Sequence, residues 1–168
     1  EMIKKEDLPA AGTINGTAQI RDLNTEMKFT TDLTISDLEL FENQIGDLAV
    51  KVDSKTTEIL NADIALTGNN NDLRITGDFD TKETAFDLNL AINRLEMKSV
   101  QGFTMNAITD TEGFISGNLK IAGKVDDPSI LGKVKFNEVG FKIEEIGSNF
   151  RNIDDAIDFT NGGIVFNR

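Results

Sequence analysis

Residues 113–125 alternate between two kinds of side chain. From Ile115 onward, odd positions carry isoleucine, glycine, leucine or valine, whereas Lys120 and Lys124 fall at even positions. Successive side chains of a β-strand point to opposite faces, so the pattern predicts a strand with one apolar and one polar face. The alternation recurs along most of the chain, and no segment supplies an obvious second layer to cover the apolar faces.

The other alternating runs are separated by short turn signals. The segment 68–72 reads Gly-Asn-Asn-Asn-Asp, and similar polar clusters occur at 80–83 and 126–128. Short turns favour hairpins and meanders, so we expect an all-β fold of roughly ten to twelve antiparallel strands. The period drifts over 91–103, where Ile92, Leu95 and Met97 leave a short helix open as the alternative.

An internal repeat is the second constraint. A shift of 101 residues superposes 12–20 on 113–121, and the register then continues without a gap through Ile45-Gly46 and Ile146-Gly147. With one deletion, residues 61–64 also align with residues 161–164. We therefore predict one continuous domain over 1–168 with tandem repeats of about 100 residues, 12–66 and 113–168, although coincidence between similar strand patterns remains open.

Both copies lose the alternation at the same point. Ser36-Asp37 and Asn137-Glu138 each insert one residue into the period of two. A β-bulge or a tight turn has this effect, so we expect one at each position.

Charge and missing residue types exclude several functions. The net charge of -12 opposes nucleic-acid binding, and the absence of histidine and cysteine removes two common catalytic routes and thiolate metal sites. Adjacent carboxylates such as Asp126-Asp127 are expected in solvated turns, so we expect no enzyme, metal or cofactor.

The chain has no 18-residue apolar run or signal peptide, starts without Met and stops in a strand pattern, so we expect a piece of a longer protein.

The aromatic residues are eleven Phe with no Tyr or Trp. Protein-recognition surfaces favour aromatic residues with a polar group, which are absent here. The apolar face is therefore either an ordinary hydrocarbon core or a surface for a ligand without hydrogen-bonding groups, such as an acyl chain. Composition does not separate the two.

The last third of the chain resembles the C-terminal region of the TamB family, the periplasm-spanning relatives of AsmA. The resemblance is carried by a G-x-x-S-G-x-L-x-I-x-G strand, a D-P turn, a glycine opening the next strand, an I-G pair and a closing I-x-F strand: Gly113, Ser116, Gly117, Leu119, Ile121, Gly123, Asp127-Pro128, Gly132, Ile146-Gly147 and Ile164 to Phe166. The first third would be a preceding copy. From the resemblance we expect the segment with which family members dock to an outer-membrane barrel to lie outside this sequence.

The resemblance implies an elongated antiparallel sheet curled into a half-pipe, or β-taco, whose apolar concave groove carries lipid. It also implies a periplasmic location, an inner-membrane anchor in a Gram-negative bacterium, a BamA-type (TamA-like) outer-membrane partner, and roles in phospholipid transport and outer-membrane protein assembly. The groove would be lined by the apolar positions Ile64, Leu66, Leu73, Ile75, Phe86, Leu88, Leu90, Ile115, Leu119, Ile121, Val134, Phe136, Phe141 and Ile143.

Two alternatives remain at this stage. A closed β-sandwich, as in a structural or adhesin module, would bury the same residues between two sheets. A chaperone-like module would bind unfolded outer-membrane strands at its sheet edge. Open edges would also favour self-association of the chain through its terminal strands.

Overall fold

The computed structural model describes residues 9–22 and 28–167, which form one antiparallel sheet of eleven strands and one short helix. The all-β prediction is confirmed. Within 91–103 the alternative of a short helix is correct for 97–103, whereas Ile92 and Leu95 belong to a strand. Met27, at the start of one alternating run, lies outside the described residues. The elements are β1 (Ala10–Arg21), β2 (Lys28–Leu40), β3 (Asn43–Ser54), β4 (Ile59–Gly68), β5 (Asn71–Asp80), β6 (Ala85–Glu96), α1 (Met97–Phe103), β7 (Ile108–Lys124), β8 (Asp127–Ile143), β9 (Ser148–Ile153), β10 (Ala156–Thr160) and β11 (Gly163–Asn167).

The sheet is an open meander. Strands β1 to β8 pair in sequence order, β10 and β11 follow, and β9 pairs with β8 alone. The long β8 serves two partners, because Gly132–Lys135 pairs with β10 and Val139–Ile143 pairs with β9. In the described part of the chain β1 does not pair with β11, and no second sheet forms. The sheet is therefore neither a barrel nor the closed β-sandwich, and that alternative is wrong.

The strand register places the apolar residues on one face. Val50, Ile64, Ile75, Leu90 and Leu119 lie directly opposite one another on β3 to β7. Directly opposed residues of an antiparallel pair share a face, so these five side chains form one row across the sheet. The residues between them in sequence point to the other face.

Two bulges interrupt the sheet at the positions predicted from the sequence. Thr13 pairs with Ser36 while Ala11 pairs with Glu39, so β2 carries one extra residue beside Asp37. The pairs Phe114–Asn137 and Glu112–Gly140 repeat this register 101 positions later, with the extra residue beside Glu138. Asp37 and Glu138 have φ angles of 53° and 51°. The pairs β1–β2 and β7–β8 therefore share both register and bulge.

The likeness between the two copies ends after these strand pairs. Ile45 in β3 is completely buried, whereas Ile146 is 67% exposed in the turn before β9. Residues 61–64 lie inside β4, whereas 161–164 form a turn and the start of β11. The tandem repeat of about 100 residues stays a prediction beyond the first strand pair of each copy.

The helix α1 shows how the sheet curls into a half-pipe. Its seven residues contact β2, β3, β6, β7 and β8. A helix of this length is about 10 Å long, whereas β3 and β7 would lie about 19 Å apart in a flat sheet. The sheet therefore bends around α1, and the bulges in β2 and β8 assist because a bulge bends the strand that carries it.

The hydrophobic core lies beneath α1 at one end of the strands. It is a cluster of buried residues from β2, β3, β4 and β6, against which Val100 of α1 packs: Leu38, Ile45, Leu66, Ile92 and Leu95. Met97 at the start of α1 is also buried. This end of the apolar face is covered. Most of the rest of the face is half-buried or exposed, although Thr31 and Val134 are 6% and 8% exposed.

Candidate hydrophobic groove

The register brings twelve of the fourteen predicted groove residues onto the same face of the sheet. Ile64, Ile75, Leu90 and Leu119 form one row of directly opposed residues. A second row contains Leu66, Leu73 and Val134, with Ile92 and Gly117 lying between Leu73 and Val134. The remaining residues are Leu88 opposite Ile121, Ile115 opposite Phe136, and Phe86 opposite Gly123. Phe141 and Ile143 lie past the bulge, on the part of β8 that pairs with β9. There Phe141 stacks on Phe150, with ring centroids 5.0 Å apart.

Exposure divides this apolar face into two sections. Ile64, Ile75, Leu88, Leu119 and Ile121 are half-buried, so each retains contact with solvent. We call the half-buried part of the face the open groove. The predicted groove residue Leu66 is only 1% exposed because it belongs to the core beneath α1, which we call the closed section. Leu66 is therefore not accessible from the open groove in this structure.

The groove face also includes residues that the sequence-based site left out. Leu33 and Ile35 on β2 lie opposite Val50 and Leu48 of β3, and Ile157 on β10 lies opposite Val134. The face reaches β11, where Ile164 and Phe166 are 59% and 72% exposed. The same alternation that identified the other strands marks these positions.

The lining of the groove offers almost no polar group. Thr31 and Ser54 carry hydroxyl groups on this face, and the Ser54 hydroxyl accepts a hydrogen bond from the Phe29 backbone N–H at 2.9 Å. Thr31 is 6% exposed, and its hydroxyl has no hydrogen-bond partner among the described residues. An apolar lining of this kind suits a hydrocarbon ligand and offers few hydrogen-bonding groups to a polar substrate.

The opposite face of the sheet is covered by ion pairs between neighbouring strands. Lys51 on β3 lies 3.2 Å from Asp32 on β2, and Lys120 on β7 lies 3.1 Å from Asp87 on β6. All four side chains are more than half exposed. Exposed pairs add little stability, but they identify this face as the one that contacts water.

The pair formed by Arg74 and Asp63 shifts ionisation on that outer face. The Arg74 guanidinium donates from Nε to Asp63 Oδ1 at 2.7 Å, and a second contact joins Nη2 to Oδ2. The hydrogen bonds and positive charge of Arg74 lower the pKa of the Asp63 carboxyl below 3.8, against a smaller opposing effect of desolvation. The ionised carboxylate is thus the form that the fold favours.

Replacing Arg74 by glutamine is expected to raise the pKa of Asp63 back toward 3.8 and to lower stability slightly at neutral pH. A lowered pKa stabilises the fold above the unfolded pKa, and that contribution is lost as the pH falls through the folded pKa. The wild type and R74Q should therefore differ in urea unfolding at pH 7 and coincide well below the folded pKa. An Asp63 carboxyl with the same NMR titration in both proteins would contradict this.

At the covered end, buried hydrogen bonds attach α1 to the sheet. The Asn71 side chain at the start of β5 donates from Nδ2 to the Ile45 carbonyl and to the Ser99 hydroxyl, each at 2.7 Å. Its Oδ1 accepts from the Glu96 backbone N–H at 2.8 Å. Asn71 and Ser99 are 4% and 1% exposed. The sequence placed Asn71 in a hairpin tip and gave no sign of this contact.

These features define a class of protein: an open antiparallel sheet, curled into a half-pipe, with a half-exposed hydrocarbon face inside and charged residues outside. Among the described residues no helix is long and apolar enough to span a membrane. The family model described as the TamB C-terminal domain matches residues 63–165, which is more than half of the chain. The chain belongs to the TamB family. No curated protein and no solved structure matches it.

Membership in this family implies a role in outer-membrane assembly and lipid transport, in the envelope of a Gram-negative bacterium. The match begins within β4 and extends into β11, so it includes α1 and most of the open groove.

Proposed function

We propose that the open groove shields the acyl chains of phospholipids as they pass between the inner and outer membranes. One observation carries the proposal: the apolar face continues across the sheet, and most of its side chains outside the closed section remain half-buried or exposed. A soluble domain ordinarily buries such a face against a second layer. An acyl chain supplies that missing layer without needing a hydrogen-bond partner.

The dimensions of the sheet suit this occupant. Ten strands lie side by side from β1 to β11, so the apolar face is roughly 43 Å wide at about 4.8 Å per strand. One acyl chain spans about 15 Å, half the hydrocarbon core of a bilayer. The face is therefore long enough for more than one chain in succession.

The energetics suit passage better than storage. Shielding each methylene from water is worth roughly 0.8 kcal/mol, so a chain of about sixteen carbons gains on the order of 12 kcal/mol. A bilayer supplies the same gain, so entry into the groove from a membrane is close to neutral. A conduit requires this balance, because a tightly bound lipid would not leave.

In the cell, we place the chain in the periplasm as part of a longer protein that is anchored in the inner membrane and works with a BamA-type barrel. The family membership supports this arrangement. The proposed function involves no chemical conversion, and its contribution to outer-membrane protein assembly follows from the supply of phospholipid.

The direct test is native mass spectrometry of the 168-residue chain after incubation with phosphatidylethanolamine vesicles and separation from them. We expect the protein to emerge with bound phospholipid and to lose it to lipid-free acceptor vesicles. Recovery of lipid-free protein at every protein-to-lipid ratio would argue against a lipid path.

The sheet edges favour a second candidate, the binding of unfolded strands. All twelve residues of β1 are exposed, and β11 exposes Ile164, Val165 and Phe166. Edge strands of this kind accept an additional strand, from a client or from a second copy of the chain. A peptide bound at an edge should remain bound when the groove is filled with lipid, which distinguishes the two functions. Self-association through these edges stays a prediction.

A further inference from the structure

We propose that α1 is a stop in the lipid path: acyl chains occupy the open groove and do not enter the closed section, and Asn71 is the residue that positions this stop. The inference rests on the proposed function, because it names the part of the groove that takes lipid. It predicts that the lipid path runs across the strands, bounded on one side by α1.

The contrast in burial shows where the stop lies. Leu66, Ile92 and Leu95 in the closed section are 1%, 6% and 9% exposed. On the same strands Ile64 and Leu88, two and four residues away from Leu66 and Ile92, are half-buried. On β4 and β6 the face thus changes from open to closed within two residues, between Ile64 and Leu66 and between Leu90 and Ile92.

The hydrogen bonds of Asn71 fix α1 in one place. Its side-chain Nδ2 donates to the Ser99 hydroxyl and to the Ile45 carbonyl, and its Oδ1 accepts from the Glu96 backbone N–H. Apolar packing alone would allow a short helix to shift along an apolar surface. The hydrogen bonds of the buried Asn71 amide prevent such a shift, because any displacement would leave polar groups unpaired in the core.

The helix has few stabilising features of its own. It is seven residues long, has no side-chain hydrogen bond at its N-cap, no acidic residue in its first turn and no basic residue in its last. Isolated helices of this length do not form in water. Its position therefore depends on contacts with the sheet. Besides Asn71, these are the apolar packing of Met97 and Val100 and a hydrogen bond from the Thr111 hydroxyl to Gln101 Oε1 at 3.0 Å. Packing is also close at Gly102, where a Cβ would lie 2.9 Å from Ile45 Cδ1 and 3.0 Å from the Leu40 carbonyl oxygen.

Leucines on both sides of α1 provide the test. Photo-leucine has nearly the shape of leucine, so it can report lipid contact without displacing the helix. The closed section contains Leu38, Leu66 and Leu95, the open groove contains Leu88 and Leu119, and Leu131 faces outward beside Lys120. The labelled chain is irradiated with phosphatidylethanolamine vesicles, and lipid adducts are mapped by mass spectrometry. We expect adducts at Leu88 and Leu119, and background at Leu38, Leu66, Leu95 and Leu131.

Two variants release the stop by different means. Asn71→Val removes the buried amide, and Gly102→Val forces α1 away from Ile45 and Leu40. In both, adducts at Leu66 and Leu95 should rise from background to the level at Leu88, while adducts at Leu88 persist and show that the groove is folded. Lys98→Gln, on the exposed side of α1, is the matched control and should keep the wild-type pattern.

The outcomes separate the two proposals. Adducts at Leu66 and Leu95 in the wild type would overturn the stop and leave the lipid path standing. Variants in which hydrogen exchange shows α1 released but the closed leucines remain unlabelled would also overturn the stop. The absence of adducts at every leucine would overturn both the stop and the proposed function.

Discussion

Replacing Ile121 by aspartate is expected to block lipid passage while leaving the domain folded. Ile121 is half-buried in the open groove, opposite Leu88 on β6 and Ile130 on β8. A carboxylate there can reach water when the groove is empty, but a passing acyl chain would have to desolvate it. A penalty of about 3 kcal/mol or more corresponds to roughly a hundredfold loss of lipid occupancy, and is measurable as crosslinked lipid or as transfer between vesicles.

Asn118→Asp is the matched control. It introduces the same charge on the same strand, but on the outer face and opposite Lys133. Lipid occupancy and melting temperature should both stay close to wild type. A collapse of the melting temperature in I121D would indicate that Ile121 belongs to a sealed core, and equal loss of lipid in the two variants would indicate that the groove face has no special role.

Replacing Gly117 by alanine is expected to lower the free energy of unfolding by about 3 kcal/mol or more. Gly117 has a φ angle of 151°, and an added Cβ would lie 2.1 Å from the Lys133 carbonyl oxygen and 2.9 Å from the Val134 Cα. These are backbone atoms of the paired strand β8, so relief of the clash requires β7 and β8 to separate. Urea unfolding measures the change.

Gly162→Ala tests whether the effect comes from the close approach rather than from the loss of glycine. Gly162 lies in the turn between β10 and β11, where the atom nearest to an added Cβ would be the Thr160 hydroxyl oxygen at 3.8 Å. We expect a change within about 0.5 kcal/mol. Equal stability of G117A and G162A would mean that the strands can part at Gly117 without cost.

Local patterns were sufficient to predict the two faces of the sheet. A period of two is a property of neighbouring residues, so Leu119, Ile121 and Lys120 could be assigned to faces without knowledge of their partners. The bulge at Asp37 was predictable for the same reason, because an inserted residue breaks the period where it occurs. The short turns between most strands likewise indicated the meander of β1 to β8, whereas the pairing of β10 with β8 was not predictable from them.

Contacts between distant residues were not predictable in this way. Asn71 and Ser99 are 28 positions apart, and an Asn-rich stretch ordinarily marks an exposed turn. The turn consists of Asn69 and Asn70, and the third asparagine is buried against α1. Leu66 was therefore assigned to the groove by its alternation, although the helix that covers it follows about thirty positions later in the sequence.

Phe114 illustrates the same limit on the other face. Its position in the alternation places it among polar residues, and the sequence gives no reason for an aromatic ring there. In the structure the Arg94 guanidinium lies 3.6 Å from the centre of its ring, and Arg94 also pairs with Glu96 at 2.8 Å. A cation–π contact accounts for an aromatic ring on a charged surface.

The pairing order of the sheet has a consequence for how the chain acquires its structure. Each strand from β2 to β8 pairs with the strand made immediately before it. Contacts that are short in sequence close small loops and form quickly, so hairpins can be added one at a time from the N-terminal side as the chain emerges. The exception is β10, which must pass over β9 to reach β8. We expect this step to be the slowest, and the β10–β11 hairpin to be the last part of the described sheet to become protected from hydrogen exchange.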